Sequence, residues 1–438
     1  MQILILIDHV TLPYLVDGAP PGSMYSHDKN LYQFADQCIR RSCDVVIASA
    51  QRHMIEPRYN RVTAVYPYWK QESHTLSRAE VEPDVVVSVF PEALNVKHLY
   101  PNAKIVAIIP AIHWAESPER FPGQYVHDLI TACRYHIDFF ITQNERMKDI
   151  LHMMMEFLAK WPHRNRILVA PLGIVDEEIR SLPNRSQIRA EMGLKHNDIA
   201  IVNSGGVWRW TDFNCFFDAF CTHVKSRRSR IRLYVMGVKQ PMNFDHENYT
   251  DEFESLVEKH RDVIGSNVVI FNDWDAASKI VKAYTLGSDI GLNVNKPSLE
   301  NWQSYRIRFL DYLYFKMPVI NTYGDEISDR YPDAVFRAEA GNKQSYLAIL
   351  SAIEVGARTL ERKRQRMAQI AEYYSSCRTY GPVVDHILSA PGRNPGDYEQ
   401  WGQSLIDYTN QIASVEVRHR AREELRNSIT NKILKLIY

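Results

Sequence analysis

The sequence predicts an α/β protein made of two doubly wound parallel sheets in succession, with a C-terminal helical tail. Short continuous runs of Ile, Val and Leu recur along the 438 residues, and stretches with helical spacing separate them. Continuous rather than alternating apolar runs are typical of strands buried on both faces of a parallel sheet. The rhythm stops over residues 171–186, which contain two prolines and a glycine, and then restarts. Two α/β domains joined by a linker are therefore expected.

Each domain is assembled from strand–helix–strand units. The first such unit has a helix predicted over Asp28–Arg41, because Leu31, Phe34 and Cys38 recur there at helical spacing. The predicted strands are Ile3–Ile7, Val45–Ala48, Val85–Val89, Ile105–Ile109, Phe139–Ile141 and Ile167–Val169 in the first domain, and Ile199–Val202, Leu233–Met236, Val268–Phe271, Ile290–Val294 and Val319–Ile320 in the second.

The breaks in this pattern predict three regions. Residues 1–180 form the N-terminal domain, 181–395 the C-terminal domain, and 396–438 a helix that packs back toward the N-terminal domain. The tail mixes apolar residues with Arg and Lys, and such a basic amphipathic helix can instead lie on an anionic membrane surface. Ligands of doubly wound sheets bind beyond the carboxyl ends of the strands, so we expect the two domains to face a central cleft that holds the site.

Composition and charge exclude several classes of protein. Apolar residues make up 45% of the chain and charged residues 24%, which are ordinary globular values. Lys plus Arg and Asp plus Glu number 52 each, which argues against a nucleic-acid partner bound through bulk charge. No apolar run approaches the roughly 18 residues of a membrane span, and the start lacks the basic region of a signal peptide. The six cysteines show no metal-binding spacing, so a cytoplasmic protein with reduced thiols is expected.

A glycine pair follows the first strand of the second domain. Gly205 and Gly206 come directly after that strand and before an apolar helix, where backbone N–H groups and the helix N-terminus favour an anion. Trp208, Arg209 and Trp210 follow, and one guanidinium between two indoles suits a diphosphate or a flat ring. Packing between the domains is the alternative role of the tryptophans.

A second group of polar residues follows the predicted strand Ile290–Val294. Glu300 and Asp311 lie eleven positions apart, with Arg306 and Arg308 between them. Two carboxylates and two guanidinium groups at a strand end suit a nucleoside diphosphate, because carboxylates accept from ribose hydroxyls and Arg donates to phosphate. A surface network of ion pairs is the alternative interpretation.

The sequence Asp273-Trp274-Asp275 follows another strand of the second domain. A D-x-D pattern can hold a divalent cation through hard oxygen ligands. The plainer interpretation is a loop that lines the cleft and contacts the nucleotide base, with Trp274 among the contacts and no metal.

Two features of the first domain also belong to the expected site. His113 follows a predicted strand and can hydrogen-bond a substrate hydroxyl or a leaving phosphate, although a purely structural histidine fits equally well. Gly22 and Ser23 lie in the loop 8–27, which is long for a strand-to-helix connection and is expected to contact phosphate or acceptor.

Taken in order, these motifs resemble those of the GT-B glycosyltransferases, in particular the retaining enzymes of glycosyltransferase family 4. The segments that carry the resemblance are Gly22-Ser23, Phe140–Glu145, Ile167–Val175, Gly205–Phe220 and Asp311–Ile320. A bacterial polysaccharide branch with G-G-x-W-x-W-x-D and R-x-R-x-x-D-Y-L is closer still. Its residues match Gly205, Gly206, Trp208, Trp210 and Asp212, and then Arg306, Arg308 and Asp311.

The resemblance implies two Rossmann-like domains and transfer of a sugar from a nucleotide-sugar donor to a glycan or lipid-linked glycan. The anomeric configuration would be retained, with no metal and no cofactor beyond the donor as co-substrate. The usual setting is polysaccharide assembly at the inner membrane face. Diphosphate would lie at Gly205, Gly206, Arg209, Arg306 and Arg308, with ribose at Asp311. Glu300 and His113 would act on the donor sugar.

The sequence also departs from the family pattern. Gly206 and Thr211 stand where the family has Arg and Lys on the diphosphate, and the two carboxylates are eleven rather than eight positions apart. An epimerase or hydrolase on the same fold, or a protein that binds sugar nucleotides without catalysis, therefore stays open.

Overall fold

The structure is a computed structural model. It describes residues 1–7, 16–17, 26–49, 56–57, 62–65, 69–70, 75–76, 81–90, 93, 96–97, 99–110, 129, 132, 137–159, 161, 163–174, 182–227, 229–239 and 247–392. The described chain divides into an N-terminal unit, which takes in residues up to 171 and again from 380, and a C-terminal unit, 172–379. The sequence places the boundaries at 180 and 395 instead, and the predicted tail helix 396–438 lies outside the described residues.

The N-terminal unit is built on a seven-stranded sheet. Its strands and those of two small ladders are β1 (Gln2–Ile7), β2 (Val16–Asp17), β3 (Asp44–Ser49), β4 (Glu56–Pro57), β5 (Val62–Val65), β6 (Trp69–Lys70), β7 (Thr75–Leu76), β8 (Val85–Val89), β9 (Lys104–Ile109), β10 (Phe139–Thr142) and β11 (Ile167–Val169). The order is β11-β10-β9-β8-β1-β3-β5, and every neighbouring pair is parallel. Helix α1 (Ser26–Arg40) packs on β1, β3 and β8, and α2 (Glu145–Ala159) packs on β10 and β11.

The C-terminal unit is built on a six-stranded parallel sheet. Its strands are β12 (Ile199–Asn203), β13 (Ile231–Lys239), β14 (Val268–Asp273), β15 (Ile290–Asn293), β16 (Val319–Thr322) and β17 (Val335–Ala338), in the order β14-β13-β12-β15-β16-β17. Its helices are α3 (Arg185–Glu191), α4 (Phe213–Ser226), α5 (Glu247–Lys259), α6 (Trp274–Gly287), α7 (Leu299–Gln303), α8 (Ile307–Tyr314), α9 (Glu326–Arg330), α10 (Lys343–Val355) and α11 (Ala357–Ala371). Helix α12 (Ser376–Ser389) follows, and most of it belongs to the N-terminal unit.

The C-terminal sheet is buried on both faces, which explains its continuous apolar strands. Ile201 and Leu233 pack into a core with the phenylalanines of α4, whereas Val202 and Tyr234, one position later, pack into a second core with α8. Alternate residues of one strand therefore enter opposite cores, as in a doubly wound sheet. The predicted fold class, an α/β protein with two doubly wound parallel sheets, is confirmed.

Two strands of the seven-stranded and six-stranded sheets, β5 and β17, have no counterpart among the predicted ones, and each lies at an edge. β5 has the sequence VTAV and β17 the sequence VFRA, so each interrupts its apolar residues with a polar one. An edge strand has a neighbour on one side only and tolerates polar residues that a central strand excludes. Neither strand therefore forms a continuous apolar run in the sequence.

In the part of the chain that is described, no helix combines the length and the apolar character that a bilayer crossing requires.

Candidate functional site

The strands at the centre of the C-terminal sheet end in asparagines. Asn203 closes β12, Asn293 closes β15 and Asn321 lies one residue before the end of β16, and all three are buried. The Asn293 amide donates to Oδ1 of Asn321 at 2.7 Å. Neighbouring parallel strands thus bring polar groups together at their carboxyl ends, where ligands of such sheets bind. Asn293 and Asn321 were absent from the predicted site, although Asn293 lies within the predicted strand Ile290–Val294 and Asn321 directly follows Val319–Ile320.

Gly205 lies directly against the guanidinium of Arg308, which belongs to the first turn of α8. A Cβ atom on Gly205 would be 2.9 Å from one terminal nitrogen of Arg308 and 3.0 Å from its Cζ. Gly205 and Gly206 are not among the residues with positive φ, so it is the close approach of Arg308, and not the backbone conformation, that favours a glycine at 205. Asn203 joins the two parts: its amide donates to the Gly205 carbonyl at 2.7 Å, and its Oδ1 accepts from Arg308 at 3.0 Å.

The guanidinium of Arg308 meets a neutral partner within the described part of the chain. Among the described residues the guanidinium has one hydrogen-bond acceptor, the neutral Asn203 amide, and no ion pair. Burial lowers the pKa of Arg308 and the neighbouring Arg306 charge lowers it too, whereas Tyr312 and the Glu300 charge act in the opposite direction. A buried charge is stabilised when an opposite charge comes within hydrogen-bond distance. The surroundings of Arg308 therefore fit an anionic ligand.

Tyr312 fixes helix α8 to the strands beneath it. Its hydroxyl accepts from Ser204 Oγ at 2.9 Å and lies 3.1 Å from the Leu292 carbonyl. The ring packs over Gly291, where a Cβ would be 2.7 Å from the ring carbons. Tyr312 is fully buried, so Arg308, which lies one turn earlier on α8, stands on a rigid support.

Glu300 and Arg306 form a buried ion pair in which both terminal nitrogens of the arginine take part. Arg306 donates to Oε1 at 2.7 Å and to Oε2 at 2.6 Å, and Ser304 Oγ also donates to Oε1 at 2.8 Å. The Glu300 side chain is 3% exposed and that of Arg306 is 14% exposed. The structure thus brings these two predicted site residues together, but it engages Arg306 with Glu300. The predicted contact of Arg306 with a phosphate stays a prediction.

Asp311 is also engaged in an ion pair. Its Oδ1 contacts Nζ of Lys282, which lies on α6, and both side chains are 12% exposed. A lysine at this place was not foreseen, because nothing in the sequence connects positions 282 and 311. The predicted contact of Asp311 with ribose stays a prediction.

The two tryptophans of the glycine loop stack on each other. The ring centroids of Trp208 and Trp210 are 4.8 Å apart, and the planes differ by 10°. The two indoles therefore contact each other directly, and the predicted role of this group at a diphosphate or a flat ring stays a prediction. Arg209 itself is half-buried, and its predicted place at the diphosphate stays a prediction.

The D-x-D sequence lies at the start of a helix. Asp273 Oδ1 accepts from the Ala276 N–H at 3.1 Å, which caps the first turn of α6. Trp274 is the first residue of that helix, and its side chain lies outside the described residues. Among the described residues, no cluster of three or more His, Cys, Asp or Glu side chains is arranged to hold a metal.

Three predicted residues of the first domain, Gly22, Ser23 and His113, lie outside the described residues.

Comparison with known proteins identifies the fold of the chain. No family model matches the chain, and no curated protein matches it. Among solved structures, Anabaena HepE in complex with UDP and glucose aligns with a TM-score of 0.63 at 12% identity, over 89% of this chain and 100% of HepE.

Two further solved structures align over similar lengths. A trehalose-6-phosphate protein from E. coli bound with UDP-2-fluoro glucose gives a TM-score of 0.65 at 12% identity, over 90% of this chain and 100% of its own. WaaG, a glycosyltransferase involved in lipopolysaccharide biosynthesis, gives 0.59 at 15% identity, over 89% of this chain and 100% of WaaG. The two parallel sheets and these alignments together show that the chain has the GT-B fold of glycosyltransferases.

Proposed function

We propose that the protein is a glycosyltransferase that moves a sugar from a nucleotide-sugar donor to an acceptor hydroxyl. The observation that carries the proposal is the half-buried Arg308 guanidinium against Gly205, with a neutral amide as its one partner among the described residues. A donor diphosphate supplies the missing negative charge. The structural neighbours HepE and the E. coli protein hold UDP or a UDP-sugar, which supports this class of donor.

The other residues of the C-terminal unit take roles around that diphosphate. The loop at Gly205 and Gly206 allows the phosphates to approach the backbone at the end of β12. Arg306 orients the carboxylate of Glu300, and this carboxylate accepts hydrogen bonds from hydroxyls of the donor sugar. Asp311 accepts from ribose while Lys282 balances its charge.

The reaction breaks the bond between the anomeric carbon and the β-phosphate oxygen. A new bond forms from the anomeric carbon to the acceptor oxygen, and the acceptor proton passes to the leaving phosphate. Arg308 stabilises the negative charge that develops on the diphosphate as it leaves. We propose that attack occurs on the face that the diphosphate leaves, without a metal, so that the anomeric configuration is retained.

Polysaccharide or lipid-linked glycan assembly on the cytoplasmic side of a membrane is the proposed setting.

A calorimetric titration with UDP, GDP, dTDP and ADP tests the nucleotide site. We expect UDP to bind and its affinity to be unchanged by EDTA. Binding of none of the four nucleotides would contradict the proposal.

Product analysis tests the reaction class. With UDP-glucose labelled in the sugar and methyl glycosides as acceptors, transfer moves the label onto a glycoside in the α configuration. Free labelled glucose as the sole product indicates a hydrolase, a labelled epimer of UDP-glucose an epimerase, and unchanged donor a binding protein without catalysis.

A further inference from the structure

The described part of the N-terminal unit contains a buried carboxamide to which no hydrogen bond is made. Gln143 follows β10 directly and is 1% exposed. Among the described residues, neither its Nε2 nor its Oε1 has a hydrogen-bond partner. A buried polar group without a partner destabilises the folded state, so a protein retains one when something else uses it.

The residues beside Gln143 at the ends of the neighbouring strands have no free N–H group for its Oε1. The register pairs Ile109 with Thr142 and Thr142 with Val169, which puts Pro110 and Ala170 on either side of Gln143. Proline has no N–H group, and the Ala170 N–H already donates to the Thr142 carbonyl at 2.8 Å. Neither flanking side chain is polar.

The residues before and after Gln143 in the chain have their own partners. Thr142 Oγ1 lies 3.3 Å from the Asn144 and Leu168 carbonyls, and Asn144 Oδ1 caps α2 by accepting from the Met147 N–H at 2.7 Å. The vacant hydrogen-bonding capacity is thus confined to Gln143, at the edge where parallel sheets bind ligands.

We propose that Gln143 binds the acceptor by hydrogen-bonding its sugar hydroxyls. A carboxamide offers one acceptor oxygen and two N–H groups, which matches neighbouring hydroxyls of a sugar ring. The flanking residues Thr142, Asn144, Pro110 and Ala170 are uncharged, so their side chains offer no counter-charge to an anion. The inference rests on the proposed function: the donor diphosphate is assigned to the C-terminal unit, which leaves the acceptor for Gln143.

The test compares wild type with Gln143→Met by calorimetry, using methyl α-glucoside, methyl β-galactoside and methyl α-mannoside, each with and without UDP. We expect at least one glycoside to bind wild type and to bind Gln143→Met about tenfold more weakly, the loss of roughly one hydrogen bond. We expect the melting temperature of Gln143→Met to equal or exceed that of wild type, because the substitution removes unsatisfied polar atoms.

The matched control is Gln37→Met, in the same unit. Gln37 is also 1% exposed, but its Oε1 accepts from Arg41 at 3.0 Å and its Nε2 donates to Asp36 at 3.0 Å. This substitution is expected to lower the melting temperature and to leave glycoside affinity unchanged.

Equal glycoside affinity in wild type and Gln143→Met, or no glycoside binding to wild type, overturns the proposal. A melting temperature lowered as much as in Gln37→Met overturns it as well, because Gln143 would then be a structural residue. UDP binding is measured in the same samples, so a failure at Gln143 is distinguished from a failure of the nucleotide site.

Discussion

Both terminal nitrogens of Arg306 donate to the carboxylate of Glu300, at 2.7 Å and 2.6 Å, within the part of the C-terminal unit that holds the candidate donor site. The Nε of Arg306 is buried and has no partner among the described residues. Arg306 thus orients Glu300, and it is Arg308, two positions later, whose charge stays available to a ligand.

Replacing one member of the Glu300–Arg306 pair should destabilise the protein more than replacing both members. Arg306→Met leaves a carboxylate buried without a counter-charge, so we expect the free energy of unfolding to fall by about 3–5 kcal/mol. The double variant Glu300→Leu/Arg306→Met should recover most of this loss, because neither charge of the pair then remains without the other. Urea denaturation of the single and double variants at neutral pH measures the difference.

An exposed ion pair of the same unit provides the control. Arg261 pairs with Glu258, and their side chains are 76% and 65% exposed. Arg261→Met is expected to cost less than about 1 kcal/mol. If Arg306→Met costs no more than that, Glu300 does not depend on its partner.

Alanine at two glycines should give opposite results. Gly205→Ala pushes the flexible end of Arg308, so we expect about a tenfold loss of UDP affinity with little change in stability. Gly291→Ala places its methyl group 2.7 Å from the buried Tyr312 ring, so we expect an unfolding free energy lower by about 1–3 kcal/mol. Calorimetry and urea denaturation on both variants test the contrast. UDP affinity unchanged in Gly205→Ala would remove that loop from the site.

The proposed contact of Asp311 with ribose can be tested separately from its ion pair with Lys282. Wild type should bind UDP more tightly than its 2′,3′-dideoxy analogue, because only UDP offers the ribose hydroxyls to a carboxylate. In Asp311→Asn we expect this preference to shrink by about tenfold. Lys282→Met is the control and should retain the preference. An equal preference in wild type and Asp311→Asn would make Asp311 purely structural.

Asp289 should link the stability of the C-terminal unit to pH. Burial alone would raise the pKa of Asp289, but a hydrogen bond from the Ala200 N–H and the Arg185 and Arg189 charges outweigh it and hold the pKa below its usual value. The unfolded carboxyl titrates near pH 3.9, so the stabilisation is fully present above that pH and is lost as the pH falls through the lower, folded pKa.

We therefore expect Asp289→Asn to destabilise the protein at neutral pH by about 1–3 kcal/mol, with the difference from wild type shrinking below about pH 4. Urea denaturation across this pH range is the measurement. Asp149→Asn is the control, because Asp149 is 50% exposed in its pair with Arg164. A difference that is independent of pH would contradict the assigned role.

The strands of this fold were predictable because burial on both faces leaves little choice of residue. Ala200 and Ile201 enter opposite cores, so both must be apolar, and the run is visible in the sequence. Arg337 of β17 is tolerated because β17 lies at the edge of the sheet. The same arginine interrupts the apolar run, so the strand could not be predicted from continuous apolar residues.

The site was predictable as a set of residues but not as a set of partners. Arg306 precedes α8 and Arg308 lies in its first turn, and residues two apart on a helix point in different directions. One arginine therefore meets Glu300 of α7 and the other meets Asn203 of β12. Such pairings depend on how separate helices and strands pack together. The spacing of residues along the chain gives no information about that packing.

The central claim is that Arg308 binds the donor diphosphate, and a calorimetric titration of UDP into wild type and Arg308→Gln tests it most directly. Hydrogen bonds to charged groups contribute about 1.5–3 kcal/mol, so we predict an affinity about ten- to a hundredfold weaker in Arg308→Gln. Arg232→Gln, which removes an arginine paired with Asp198 near the start of β13, should bind UDP as wild type does. Equal UDP affinity in wild type and Arg308→Gln would contradict the account.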